Sequence, residues 1–203
     1  MNITIRPEEE KDFRITETLT REAFRDLYKP GCDEHFILHK MREVPAFVRE
    51  LDFVACDDNE VVWNIVYTKA KIIDNEQKEF EVLCMWPVGV LPSYQKKWIW
   101  SLLINHTIQK AKELWYKAII LFWNPDFYHR FGFVIAERYQ IQTSDGSNFD
   151  PFMVLELYDW GLNWISWRFH EDKVFEVNKD ELESFEKWFP YREKHITDTQ
   201  LKI

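Results

Sequence analysis

Residues 94–133 read YQKKWIWSLLINHTIQKAKELWYKAIILFWNPDFYHRFGF, and the fold can be argued outward from them. A polar loop leads into an amphipathic helix that runs to Leu114, and a wholly apolar strand follows over 117–122, KAIILF. A short aromatic helix comes next, after Asn124 and Pro125. Helix and strand around one fully apolar strand predict an α/β protein with helices packed on a mixed sheet. Four tryptophans, Trp98, Trp100, Trp115 and Trp123, stand at points of this plan where the backbone favours glycine.

Upstream, DFVACDDNEVVWNIVYTKAKII (52–73) reads as a β-hairpin, two β-rich runs around the polar turn Asp57-Asp58-Asn59-Glu60. EFEVLCMWPVGVL (79–91) supplies a third strand that pairs with the second. ITIR (3–6) alternates like a short strand. Two helices follow it, one over DFRITETLTREAF with Phe13, Ile15, Leu19 and Phe24 apolar, and one from Asp33 to Arg42 with Phe36, Ile37 and Met41 on one face. Downstream, strands are expected near FGFVIA (131–136) and FMVLELY (152–158), joined by the turn SDGSNFD (144–150). Residues 158–203 are charged, studded with aromatics and without a long period, and read as a C-terminal extension on a domain spanning residues 1–157.

A hydrophobic content of 46% supports a real core, and a net charge of −9 argues against a duplex-binding surface. No nucleic acid or membrane partner is expected, since no apolar run approaches the roughly 18 residues of a membrane span. Cys32, Cys56 and Cys84 are odd in number and widely spaced, which suits buried thiols in a reducing cytoplasm rather than disulfides or a metal site. His35 and His39 share the i, i+4 spacing of zinc ligands, but no third ligand accompanies them, so no metal is expected.

The loop carries the chemistry. A strand ending in PVGVLPSYQ and turning into a helix at QKKWIWSLL gathers backbone N–H groups at a helix start, where the dipole adds positive charge and Lys96 and Lys97 stand close by. Such a cluster grips phosphate. Gln95-Lys96-Lys97-Trp98-Ile99-Trp100 has the spacing Gln-x-x-Gly-x-Gly, and VGVLPSYQ precedes it as V-x-V-x-P-x-x-Q; in this the chain resembles the GNAT family of acetyl-CoA-dependent N-acetyltransferases over about residues 3–157. FYHRFGF (127–133) strengthens the resemblance.

The resemblance implies a mostly antiparallel central sheet flanked by helices, and acetyl-CoA as co-substrate with no metal. It implies cofactor contacts from Val88 and Val90, where the fourth strand splays from the fifth, and from Gln95, Lys96, Lys97, Trp98, Ile99, Trp100 and Ser101. Tyr128 falls on the family's general acid, which protonates the departing thiolate as a small-molecule or peptide amine attacks the thioester. Glu79 and Glu81 are candidate bases acting through water, with ordinary surface carboxylates the stronger reading. His129 is a second-tier candidate, and Asp145, Asn148 and Asp150 border the expected acceptor side. The alternative is a non-catalytic GNAT-like domain that binds a ligand or partner behind a blocked coenzyme loop. The extension reads either as a cover for the cleft or as a dimer contact, which leaves a homodimer open.

Both small positions of the loop are tryptophan here, and an indole fills the space a pyrophosphate needs. The chain has 10 Trp and only 5 Gly in 203 residues, against roughly 14 glycines at ordinary usage. Trp115 sits where a helix ends and positive φ is wanted, and Trp63, Trp86, Trp123, Trp164 and Trp167 also stand at glycine-like positions. A gene that reads UGA as glycine, translated with UGA as tryptophan, produces this pattern. A divergent GNAT fold using Trp for packing is the other explanation.

Overall fold

The computed structural model describes residues 2–95, 99–198 and 200; Lys96, Lys97 and Trp98, three of the expected cofactor contacts, lie outside the described residues. The N-terminal half is built as an antiparallel run. β1 (Ile3–Pro7) pairs with β2 (Phe53–Asp57), β2 with β3 (Glu60–Ile73), and β3 with β4 (Glu79–Val90), all antiparallel. The β2–β3 connection is as tight as DDNE implies, with Asp58 at φ 52°, a conformation that Asp tolerates better than most residues.

β5 (Ala118–Phe122) joins β4 in parallel, then β8 (Phe152–Glu156) and β6 (Val134–Ile135) complete the order β1-β2-β3-β4-β5-β8-β6. β7 (Ile141–Gln142) and β9 (Trp167–His170) pair with one another off this path, and β9 also pairs with β3. The sheet is thus mostly antiparallel, with helices on both faces. Along β2, Phe53 and Ala55 pack in the cluster that holds Leu103 and Ile104 of α3 (Ile99–Glu113), while Val54 and Cys56 pack with Leu19 of α1 (Phe13–Phe24). Alternation along a strand sends neighbouring side chains to opposite faces, so the two helices cover opposite sides.

α2 (Glu34–Met41) packs against α1. α4 (Pro125–Tyr128) is a single turn capped by the Asn124 side chain, which accepts from the Asp126 N–H at 2.9 Å. Residues 158–203 contribute more regular structure than their sequence suggests. β9 pairs Lys71 with His170, Ile72 with Phe169 and Ile73 with Arg168. α5 (Lys179–Glu186) is capped by Asn178 and lays Phe185 and nearby Phe189 on Phe36.

Candidate active site

β4 decides the site. It pairs with β5 only at Leu83–Ile119 and Cys84–Ile120, and then runs on to Val90 with β3 as its sole neighbour among the described residues. The parting has a local cause. Ile65 pairs with Val88 and Tyr67 with Met85, so two residues of β4, Trp86 and Pro87, face one residue of β3, Val66. This is a β-bulge, which bends the strand that carries it, and a proline inside a strand is its sequence signal. From the bulge onward the β5-facing backbone groups of β4 are left unpaired.

Those groups face a cavity of about 730 Å³, lined by Val88 and Val90, by Gln95, by Trp100 and Ser101 of α3, and by Phe127 and Arg130. The fold thus brings Val88, Val90, Gln95, Trp100 and Ser101 to one cavity. Ile99 opens α3, so the amides of the first helical turn lie at this cavity. Arg130 is the contribution that sequence reasoning missed. No carboxylate pairs with its guanidinium among the described residues; it lies over the Phe127 ring at 4.8 Å, a free cation beside a site suited to an anion. Its only signal in the sequence is its place just before Phe131-Gly132-Phe133. Trp100 stands in the same cavity, edge-on to Trp63 at 5.0 Å and to Phe127 at 4.9 Å. The open strand edge and helix mouth fit an extended pantetheine-like chain; the indole narrows the space.

A second and larger cavity, about 1170 Å³, adjoins the first, the two sharing Leu27, Trp123 and Asn124 in their walls. Aromatic side chains line it, Tyr28, Trp86 and Phe122 among them, together with five carboxylates: Asp33, Glu34, Asp126, Asp150 and Glu171. No lysine or arginine does. Glu34 is the buried member at 7% exposure. Burial, then Asp33, pushes its pKa up to about 7. Asp33 itself is held by Lys29 at 2.5 Å.

The remaining candidates fall as follows. Tyr128 is buried, 3% exposed, with its ring among Phe127, Phe131 and Phe133, and it lines neither cavity; its neighbour Phe127 does. Burial, then Tyr67 and Tyr28, raises its pKa, so the phenol keeps its proton. Glu79 and Glu81 are ion-paired to Lys71 at 2.5 Å and Lys69 at 3.5 Å and line neither cavity, so they are surface carboxylates. Asp150 lines the larger cavity, whereas Asp145 accepts hydrogen bonds from Thr143 and Ser147 within its own turn.

His129 lines the larger cavity, with Nδ1 at 2.8 Å from the Phe133 carbonyl. His35 is buried against Glu186 at 2.9 Å and His39 meets Glu17 at 2.8 Å, so the pair is used in packing. Cys84 is a buried thiol whose pKa desolvation raises well above its usual value. No group of three or more potential metal ligands occurs among the described residues, and no helix there is long and apolar enough to cross a membrane.

No family model matches the chain. A protein of Escherichia coli (strain K12) named uncharacterized N-acetyltransferase YhbS is 26% identical over 130 residues, which cover 64% of this chain and 75% of that protein. The crystal structure of YhbS from Escherichia coli, a GNAT family N-acetyltransferase in complex with CoA, superposes with a TM-score of 0.77 at 21% identity, covering 87% of this chain and 93% of the other. A GNAT family acetyltransferase of Brucella melitensis in complex with acetyl-CoA gives 0.68, again at 21% identity, over 86% and 99% of the two chains. The chain therefore carries the GNAT fold, and its sequence likeness runs to the same family of N-acetyltransferases.

Proposed function

We propose that this protein transfers an acetyl group from acetyl-CoA to an amine by direct attack on the thioester. The observation that carries this reading is the parting of β4 from β5 after Cys84, with the α3 mouth at one end of the opened edge and a second cavity adjoining it. YhbS and the Brucella enzyme, crystallised with CoA and acetyl-CoA on the same fold, support it.

In this reading each residue has a part. Unpaired β4 groups at Val88 and Val90 hold the pantetheine amides and orient the acyl carbonyl. Amides at the α3 start, with Gln95, Ser101 and Arg130, receive the diphosphate. Acetyl-CoA supplies the activated acyl carbon. The acceptor amine enters from the larger cavity; Tyr128, a neutral phenol that lines neither cavity, returns a proton to the thiolate only once its ring swings out past Phe127. Tyr128→Phe is expected to lower kcat about 10²-fold while CoA affinity, read by calorimetric titration, is unchanged. Full turnover in that variant removes Tyr128 from the chemistry.

The second reading, a ligand-binding GNAT-like domain without activity, is favoured by one observation, the Trp100 indole inside the coenzyme cavity. The double variant Trp98→Gly, Trp100→Gly discriminates. Coenzyme affinity is expected to rise at least about tenfold, a gain of ~1.4 kcal/mol; equal affinity in both forms removes the steric argument.

A further inference from the structure

The larger cavity names a class of acceptor. We infer that the acceptor is an amine carrying a second cationic group on an apolar body, such as a linear diamine, and that Glu34 takes the proton from the attacking ammonium. This rests on the acetyl-transfer reading above. Glu34 lines the cavity wall at 7% exposure and no lysine, arginine or histidine pairs with it among the described residues; its Oε2 accepts a hydrogen bond from the Asp33 N–H at 3.1 Å. A buried carboxylate without a cation is costly, and a cationic ligand relieves that cost. Asp126 comes to the same cavity from α4 and Asp150 from just before β8, and Glu171 follows β9. One carboxylate therefore serves the reacting nitrogen while others remain for a second charge, with aromatic and aliphatic walls for the methylenes between.

The step balances. The ammonium gives one proton to the Glu34 carboxylate, and the freed nitrogen lone pair forms the C–N bond as the C–S bond breaks. The thiolate leaves as thiol by taking the nitrogen's surplus proton, relayed by Tyr128 once its ring has swung out past Phe127, and Glu34 returns its own proton to water. The groups facing Glu34 are Tyr28 and Lys29 before α2, Asp33 at its start, and Asp126, His129, Asp150 and Glu171 across the cavity. Its raised pKa suits a base near neutral pH.

The test uses the full chain, as written and with Trp98→Gly plus Trp100→Gly, assayed with acetyl-CoA and with 1,4-diaminobutane against n-butylamine. The diamine is expected to show at least about tenfold higher kcat/KM. Glu34→Gln is expected to lose about 10²-fold in kcat and the acidic limb of the pH profile, with CoA affinity unchanged. Equal rates for the two amines overturn the acceptor class, and loss of activity in His129→Gln with Glu34→Gln unaffected moves the base to His129; either outcome leaves acetyl transfer standing. No transfer to any amine overturns both.

A second inference rests on backbone angles alone. Trp115, Trp160, Trp164 and Trp167 have φ of 64°, 68°, 65° and 106°, a region that bulky L-residues avoid and glycine enters freely. Trp115 is the C′ residue of a Schellman motif: its N–H donates to the Lys112 carbonyl at 2.8 Å and that of Tyr116 to the Ala111 carbonyl at 3.1 Å. Trp160 and Trp164 each hold the third place of a turn, closed by Gly161 N–H to the Tyr158 carbonyl at 2.9 Å and by Ile165 N–H to the Leu162 carbonyl at 3.0 Å, the place where positive φ calls for glycine. The indoles are 80%, 77%, 94% and 46% exposed in chain order, and their ring contacts are peripheral, Trp115 on Tyr158 at 5.8 Å and Trp167 under Arg168 at 4.8 Å.

We propose that these positions are glycine in the organism, encoded by UGA. The same substitution at Trp63, Trp100, Trp86 and Trp123 removes two interior indole pairs together, at 5.0 and 5.2 Å, and opens both cavities while leaving every carboxylate of the acceptor wall in place. Reading the gene tests it: UGA is expected at 115, 160, 164 and 167, and UGG at those codons overturns it. Independently, the quadruple Trp→Gly variant at those positions is expected to melt about 5 °C above the chain as written; a lower melting temperature contradicts the strain argument.

Discussion

A single missing methyl group lets α1 lie close on β4. Gly89 lies between Val88 and Val90, and a Cβ there would stand 2.3 Å from Asn64 Oδ1, 2.8 Å from Leu19 and 3.0 Å from Thr20 Oγ1. The constraint is space, since α1 is pressed onto β4 and the Thr20 hydroxyl donates to Asn64 across the contact at 3.2 Å. Gly89→Ala is expected to cost ~1–3 kcal/mol, read from the urea midpoint, and to weaken CoA binding, because Ala23 and Phe24 of the displaced helix line the cleft. Gly89 belongs to a motif legible in the sequence. The reason for it is not, because Asn64 and Leu19 reach it only through the fold.

Among elements, the α1–α2 pair that frames both cavities is fastened by one guanidinium. Arg42, at the end of α2, reaches Glu8 and Glu17 at 2.9 Å each and accepts no exposure to do so, since all three side chains are buried; it also donates to Thr16 at 2.8 Å. Arg42→Ala leaves the buried Glu8 carboxylate without a counter-charge, while Glu17 keeps His39 at 2.8 Å and Arg14 at 3.6 Å. The substitution is expected to cost ~3–5 kcal/mol by denaturant titration. Arg42→Lys recovers only part, because an ammonium does not reproduce the fork that spans two carboxylates. The helices themselves were readable from apolar spacing, as were the β2–β3 hairpin, β4 and β5. β6 falls within the strand expected near FGFVIA, whereas β7, of two residues, carries too little pattern to declare itself. α5 has an Asn cap and an acidic first turn, yet its aromatic face makes sense only against Phe36.

At the scale of the molecule, residues 158–203 are clamped to the rest through Glu186. Its carboxylate meets Arg21 at 2.8 Å and His35 at 2.9 Å, and against the cost of burial the hydrogen bonds from His35 and Arg21 hold its pKa down at about 2, from 4.5. A depressed carboxylate pKa contributes stability that is fully present above about 4.5 and is lost as pH falls toward 2. That contribution is expected to be ~2–3 kcal/mol, so Glu186→Gln should lower the melting temperature at pH 7 and flatten its decline between pH 4.5 and 2. An unchanged acid limb in the variant would separate the clamp from acid stability.

The order of the main strands and helices up to β8 and the oddity of the tryptophans were determined by the sequence itself, because periodicity, turn chemistry and helix ends act over a few neighbouring residues. Tertiary structure alone decided which carboxylate is buried at Glu34, that Arg130 lines the smaller cavity, and that Tyr128 turns into the core behind Phe127. It also decided which indoles sit at positive φ. Burial, charge pairing and the parting of β4 from β5 arise between segments far apart in the chain, where local pattern has no reach.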